Sequence, residues 1–134
     1  MITFEEFRIK TQKREELINI TNEINKILKS TGIKEGVCRI FVPHTTAGIT
    51  INENADPAVM RDIIAFLSKL IPQSSSFSHM EGNSDAHIKS SLTGPSLDII
   101  IHNGNLILGT WQGCYFAEFD GPRNRKIYIQ IQGD

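Results

Sequence analysis

The chain has 134 residues, with fourteen basic against fifteen acidic side chains and a net charge of −1 at pH 7. That length makes one domain, able to bury about two thirds of the surface its unfolded form would expose, so folding needs neither a disulfide nor a structural metal. Balanced charge argues against a nucleic-acid binder that works through bulk electrostatics, and no stretch approaches bilayer length, which argues against a membrane partner. The start, Met1-Ile-Thr-Phe-Glu-Glu6, lacks the basic and apolar pattern of a secretory signal. Cys38 and Cys114 each lie in an apolar run and read as buried thiols in a reducing compartment. The expectation is a cytoplasmic protein.

Along the chain, Phe4, Ile9 and Ile18 stand among polar residues with a charged break at Lys13-Arg-Glu-Glu16, the pattern of two strands joined by a turn. Thr21 is the expected cap of a helix whose apolar face is Ile24, Ile27 and Leu28, ending at Thr31-Gly32. Val37 to Val42 reads as a buried strand stopped by Pro43, and Gly48 to Asn52 as a second short one. Asp56-Pro57 then opens the longest helix, with Val59, Ile63, Leu67 and Leu70 on one face, until Pro72. Gln73 to Phe77 is a serine-rich loop. Asn83 or Ser84 can cap a short helix through Leu92, with Asp85 and Lys89 as an i,i+4 pair and Gly94-Pro95 as its close. Leu97 to Ile101 and Leu106 to Trp111 flank the turn His102-Asn-Gly-Asn105 as a hairpin, and Gly113 to Phe119 and Lys126 to Ile131 complete the strands. The order ββαββαα followed by four strands lacks βαβ alternation. It predicts an α+β domain with a largely antiparallel sheet, two longer helices and one short one.

Two polar stretches, Phe41-Val-Pro-His-Thr-Thr-Ala47 and His79-Met-Glu-Gly-Asn-Ser-Asp-Ala-His87, carry three of the four histidines. Imidazoles at strand and helix ends can bind metal, move protons or hold phosphate. The interval from His79 to His87 matches neither the zinc-protease pair nor a zinc finger, so a metal centre would require convergence in space with His44. From position alone, His44 could equally hydrogen-bond a neighbouring loop. The helix start at Asn83, Ser84 and Asp85 suits an anion, with Lys89 near in sequence, although ordinary capping is the commoner use and Asp85 would oppose a phosphate. Glu53 is a candidate base or partner of a histidine. Trp111 offers a flat surface but in a hairpin is more often core or interface. Asp120-Gly-Pro-Arg123 with Arg125 is a turn first and an anion clamp second. His102 belongs to the hairpin turn and is set aside.

Together these segments resemble the YjbQ family, also called UPF0047, small bacterial and archaeal proteins described as a secondary thiamine-phosphate synthase. The resemblance spans nearly the whole chain and rests on Phe41 to Asn54, His79, Gly82 to Leu92, Leu108 to Gly113 and Glu118 to Arg123. It implies a compact α+β homotrimer with sites near subunit boundaries. It also implies that His44, His79 and His87 share a site, where they would hold a divalent ion, zinc first, with magnesium an alternative for phosphate substrates. The implied reaction joins hydroxymethylpyrimidine diphosphate to a thiazole phosphate and releases pyrophosphate. His44, Glu53 and His87 would be catalytic; Thr45, Asn83, Ser84, Lys89, Trp111 and Arg123 would bind the small phosphorylated substrate. The alternatives are a metal-dependent hydrolase of a small phosphate ester and a trimeric metal- or metabolite-binding protein without turnover.

Overall fold

Alternation of apolar and polar residues drives the strands into two antiparallel sheets whose apolar faces meet. The computed structural model describes residues 1–74 and 76–134; Ser75, in the expected serine-rich loop, lies outside the described residues. The elements are β1 (Ile2–Lys10), β2 (Glu16–Asn19), α1 (Thr21–Thr31), β3 (Gly36–Phe41), β4 (Ala47–Glu53), α2 (Pro57–Leu70) and α3 (Ser84–Thr93). Four strands follow: β5 (Ser96–His102), β6 (Asn105–Leu106), β7 (Gln112–Glu118) and β8 (Asn124–Gly133). This is the expected α+β order, but the strands form two sheets rather than one: β1-β8-β3-β5-β6, and β2-β7-β4.

Inward positions of the larger sheet are Cys38, Ile40, Ile99, Ile101, Ile127, Ile129 and Ile131, all buried; they meet Ile49, Cys114 and Phe116 of the smaller sheet and Ile24 and Leu28 of α1. Burial of these side chains is the main stabilising term. Both thiols lie in this core, unpaired, and burial pushes each up to about 12. On its other face the smaller sheet offers Ala117 and Phe119, covered by Ala86 of α3 and by the half-buried Ile64 and Leu67 of α2. α3 is thereby fixed against the start of β4 and the end of β7, where the polar loops gather.

Three local expectations change. Thr21 does not cap α1: Asn19 Oδ1 accepts from the Thr21 N–H at 3.0 Å, and the Thr21 hydroxyl accepts from the Cys114 N–H at 2.9 Å, tying helix to sheet. The hairpin after His102 has its Asn-Gly turn, with Asn103 and Gly104 both at positive φ. Its second strand, however, stops at Leu106 instead of reaching Trp111, because the chain must there leave the larger sheet to enter the smaller one as β7. Asn83 precedes α3 but gives it no side-chain cap. Asp56 does cap α2, accepting from the Ala58 N–H at 2.9 Å.

Candidate functional site

Pro43 ends β3, and the loop from Val42 to Thr46 is pinned at both ends by backbone bonds, Val42 N–H to Pro95 O at 2.7 Å and Phe119 N–H to Thr46 O at 3.1 Å. The loop thereby faces the start of α3 and the turn after β7. A cleft of about 410 Å³ opens between them. His44, Thr45, His79, Asn83, His87 and Arg123 all line it, so the three histidines expected to share a site do converge. Glu81 and Asp120 add carboxylates to the same walls.

The floor is a buried hydrogen-bonded network. Arg125 donates through Nε to Glu118 Oε1 at 2.8 Å and through Nη2 to Glu118 Oε2 and to the Thr46 hydroxyl at 2.8 Å. Glu118 also accepts from the Thr11 hydroxyl at 2.7 Å and from the Asp120 N–H at 3.0 Å. Burial drives the Glu118 carboxyl upward, yet the Arg125 bonds and these two further donors outweigh it and hold the group below its ordinary range.

His44 is oriented by the backbone. Its Nε2 accepts from the Lys126 N–H at 3.0 Å, which leaves the proton of the neutral ring on Nδ1. Burial, with Arg125 nearby, lowers its pKa, so the neutral form prevails at pH 7. The rings of His79 and His87 meet edge to face with centroids 5.3 Å apart. These donors do not compose a three-histidine metal centre: a neutral imidazole has one lone pair, and His44 commits it to Lys126. Among the described residues, no three histidine, cysteine, aspartate or glutamate side chains form a metal-ligand group.

At the start of α3 the Asn83 amide donates to Asp120 Oδ2 at 2.8 Å instead of capping the helix, and Arg123 Nη2 donates to the same oxygen at 2.9 Å. Among the described residues, Asn83 Oδ1 is left buried without a partner. Because the amide nitrogen must face the carboxylate, exchanging the two amide atoms would not help. Asp85, expected to repel phosphate from this helix start, is turned fully inward, where Arg14 pairs with it through two bonds of 3.1 Å and Lys89 through one of 3.0 Å.

The family model described as UPF0047 protein YjbQ-like matches residues 5–134. The chain belongs to this family. It is 62% identical over 128 residues to the UPF0047 protein MJ1081 of Methanocaldococcus jannaschii, covering 96% of this chain and 93% of that one. A crystal structure of a YjbQ/UPF0047 family protein from Clostridium acetobutylicum superposes with a TM-score of 0.93 at 54% identity, covering 96% of this chain and 99% of that one. A YbjQ-like protein of unknown function from Sulfolobus solfataricus superposes at 0.95 with 34% identity, covering 100% and 99%.

Four expected site residues of this YjbQ-like chain fall outside the cleft walls. Lys89 is buried, 1% exposed, and engaged by Asp85 and by Glu15 at 3.0 Å each, so it has no free charge for a substrate. Ser84 is half-buried at the first helical position and is not a lining residue. Glu53 and Trp111 line a separate shallow groove with Asn52 and Gln112. Glu53 ends the strand that begins at Ala47 beside the cleft, and six residues at the rise of an extended chain separate the two by about 20 Å. Its carboxylate accepts from the Ala55 N–H at 2.9 Å. His102 pairs with Glu35 at the hairpin, away from the cleft.

Sequence reasoning missed the Glu118 and Glu15 networks and the cations Arg8, Lys10 and Lys126 beside His44. The signal for the last group was present as charge at alternate positions of two strands, which only their pairing brings together.

Proposed function

We propose that the histidine cleft binds a small phosphorylated molecule and performs a group transfer on it, of the thiamine-phosphate synthase type that the family resemblance suggests. The convergence of His44, His79 and His87 with Arg123 beside an uncapped helix start carries this reading. A guanidinium and imidazole N–H groups are suited to phosphate oxygens. In the reaction, the ring nitrogen of the thiazole phosphate forms a C–N bond to the methylene carbon of hydroxymethylpyrimidine diphosphate. The C–O bond breaks, and its electron pair leaves with pyrophosphate. Arg123 offsets the charge that grows on the leaving group, the Nδ1–H of His44 donates to it, and His87 serves as its proton donor.

No step runs through a resident zinc ion, because His44 has no spare lone pair; a magnesium ion arriving on the diphosphate belongs to the substrate. One zinc per chain in untagged protein, lost in His79→Ala, would overturn this choice. Activity is tested by incubating purified protein with both substrates and measuring thiamine phosphate against a blank. No product, with metal-dependent hydrolysis of simple phosphate esters, replaces the transferase with a hydrolase. Stoichiometric uptake without turnover in either assay makes it a binding protein. The setting proposed is cytoplasmic, with a free small molecule as substrate rather than nucleic acid or a membrane; among the described residues no helix is long and apolar enough to cross one.

The same reading includes a homotrimer. The outer face of the larger sheet leaves Ile2, Phe4, Phe41 and Ile100 between 44% and 65% exposed, an apolar surface that a second copy would cover. Light scattering at micromolar concentration decides this: a monomer mass overturns it.

A further inference from the structure

His44 is a wall of two clefts. The second, about 400 Å³, lies against β1 and β8 and is lined by Arg8, Lys10, Asn124, Arg125 and Lys126 together with His44. We propose that it is a second anion subsite, holding the phosphate of the other reactant, so that two phosphorylated molecules approach His44 from its two sides. This deepens the proposed function and rests on it: a transferase needs room for two reactants, whereas a hydrolase needs one.

The pairing of β1 with β8 sets Arg8 directly opposite Lys126 and Lys10 opposite Asn124, on the solvent-facing side of the sheet. Like charges facing each other across a strand pair are destabilising, and an anion between them reverses the sign of that interaction. Local acids do little to relieve it. Arg8 bonds Glu6 at 2.8 Å through a side chain that is 82% exposed. Neither Lys10 nor Lys126 forms an ion pair among the described residues; the Lys126 ammonium rests 5.7 Å over the Tyr128 ring. The patch is also small. Glu6 precedes Arg8 on the same strand face and closes the positive surface there, which suits one phosphate group and not the long track that a nucleic-acid backbone requires. Lys126 links the two sites, since its backbone N–H orients the His44 ring and the same residue lines the second cleft.

The test is a titration of the isotope-labelled full chain with inorganic phosphate, followed by amide resonances, against chloride at equal ionic strength. Two groups of resonances should respond to phosphate with separate saturation, one around Lys10, Asn124 and Lys126 and the other around His79, Asn83 and His87. In Lys10→Gln/Lys126→Gln the affinity of the first group should fall at least tenfold while the second stays within twofold. Lys10→Gln alone, at an exposed position, should give a smaller loss in the same group and guards against a misfolded double variant. A response confined to the histidine cleft overturns the second subsite and leaves the proposed function standing. A response confined to the basic cleft supports an anion site there and overturns the reading of the histidine cleft. No response in either overturns both, as does an equal response to chloride.

Discussion

Two groups of polar side chains meet at the start of β4 and the end of β7, and they differ in what they have left to give. Beneath the cleft, Arg125 and Glu118 use their charged atoms on each other, on Thr46, on Thr11 and on a backbone N–H. Behind α3, Lys89, Asp85, Glu15 and Arg14 do the same. On the cleft wall, Thr45 and Arg123 are exposed, with Arg123 held by Asp120 through Nε and Nη2, the rings of His79 and His87 meet edge to face, and among the described residues Asn83 keeps a buried oxygen unpaired. A buried charge held by several partners is part of the scaffold, because removing one partner is costly while the set has little left for a ligand. Function belongs with the groups whose hydrogen-bonding capacity the fold leaves open.

The strongest way to break this contrast is Arg125→Ala. It leaves Glu118 charged and buried, and should destabilise the chain by about 3–5 kcal/mol in denaturant titration. Replacing both partners, as Arg125→Met with Glu118→Leu, should cost much less. A loss below about 1 kcal/mol for Arg125→Ala would show that the network is not holding the cleft floor. On the wall, His87→Ala should lower thiamine-phosphate formation about 100-fold, the range of one proton-transfer group, with stability changed by no more than about 1 kcal/mol. Lys89→Met tests the opposite pattern. It should lose about 1–3 kcal/mol of stability by orphaning its bonds to Asp85 and Glu15, yet leave phosphate affinity within twofold.

Acid should weaken the scaffold. The Glu118 and Asp85 carboxyls, raised by burial but lowered further by Arg125 and Arg14 with their other partners, both lie below their ordinary values of 4.5 and 3.8. Their stabilisation is therefore complete above those values and is lost as pH falls below them through the folded pKa values. His44 contributes in the same direction at higher pH. Its folded pKa lies below the ordinary 6.5, so the unfolded chain takes up that proton first, and stability declines as pH falls from 6.5 toward the folded value. Denaturant midpoints measured from pH 7 to pH 3 should fall throughout, most steeply below 4.5; a flat profile below 4.5 would remove Glu118 and Asp85 from the scaffold.

Much of this was legible in the sequence. Apolar periodicity placed α1, α2, β3 and β7, and the Asn-Gly turn was found, because local chemistry determines them. The split into two sheets was not legible, since alternation tells which face of a strand is buried and not which partner it has. His44, His79 and His87 were found together only through resemblance, as contacts between segments 35 residues apart leave no periodic trace. Lys89 was misassigned because its i,i+4 pairing with Asp85 looks the same on a solvated face and in a buried network. Only the position of Glu15, brought in from the turn before β2, separates the two.

The smallest expected effect concerns Glu53 and Trp111. In one chain they lie at the far end of β4, about 20 Å along the strand from the histidine cleft, so Glu53→Gln and Trp111→Ala should each leave phosphate affinity and turnover within twofold. Trp111 is nevertheless 64% exposed beside a partly buried carboxylate, a surface with its own capacity to meet a neighbour. The two outcomes separate distance within a chain from proximity between chains. Unchanged kinetics confine the site to one copy's histidine cleft. A tenfold loss of turnover in both variants, with the mass by light scattering unchanged from that of the unsubstituted protein, would mean that a neighbouring copy carries this groove to the cleft, and the boundary between wall and scaffold would then have to be drawn across the assembly.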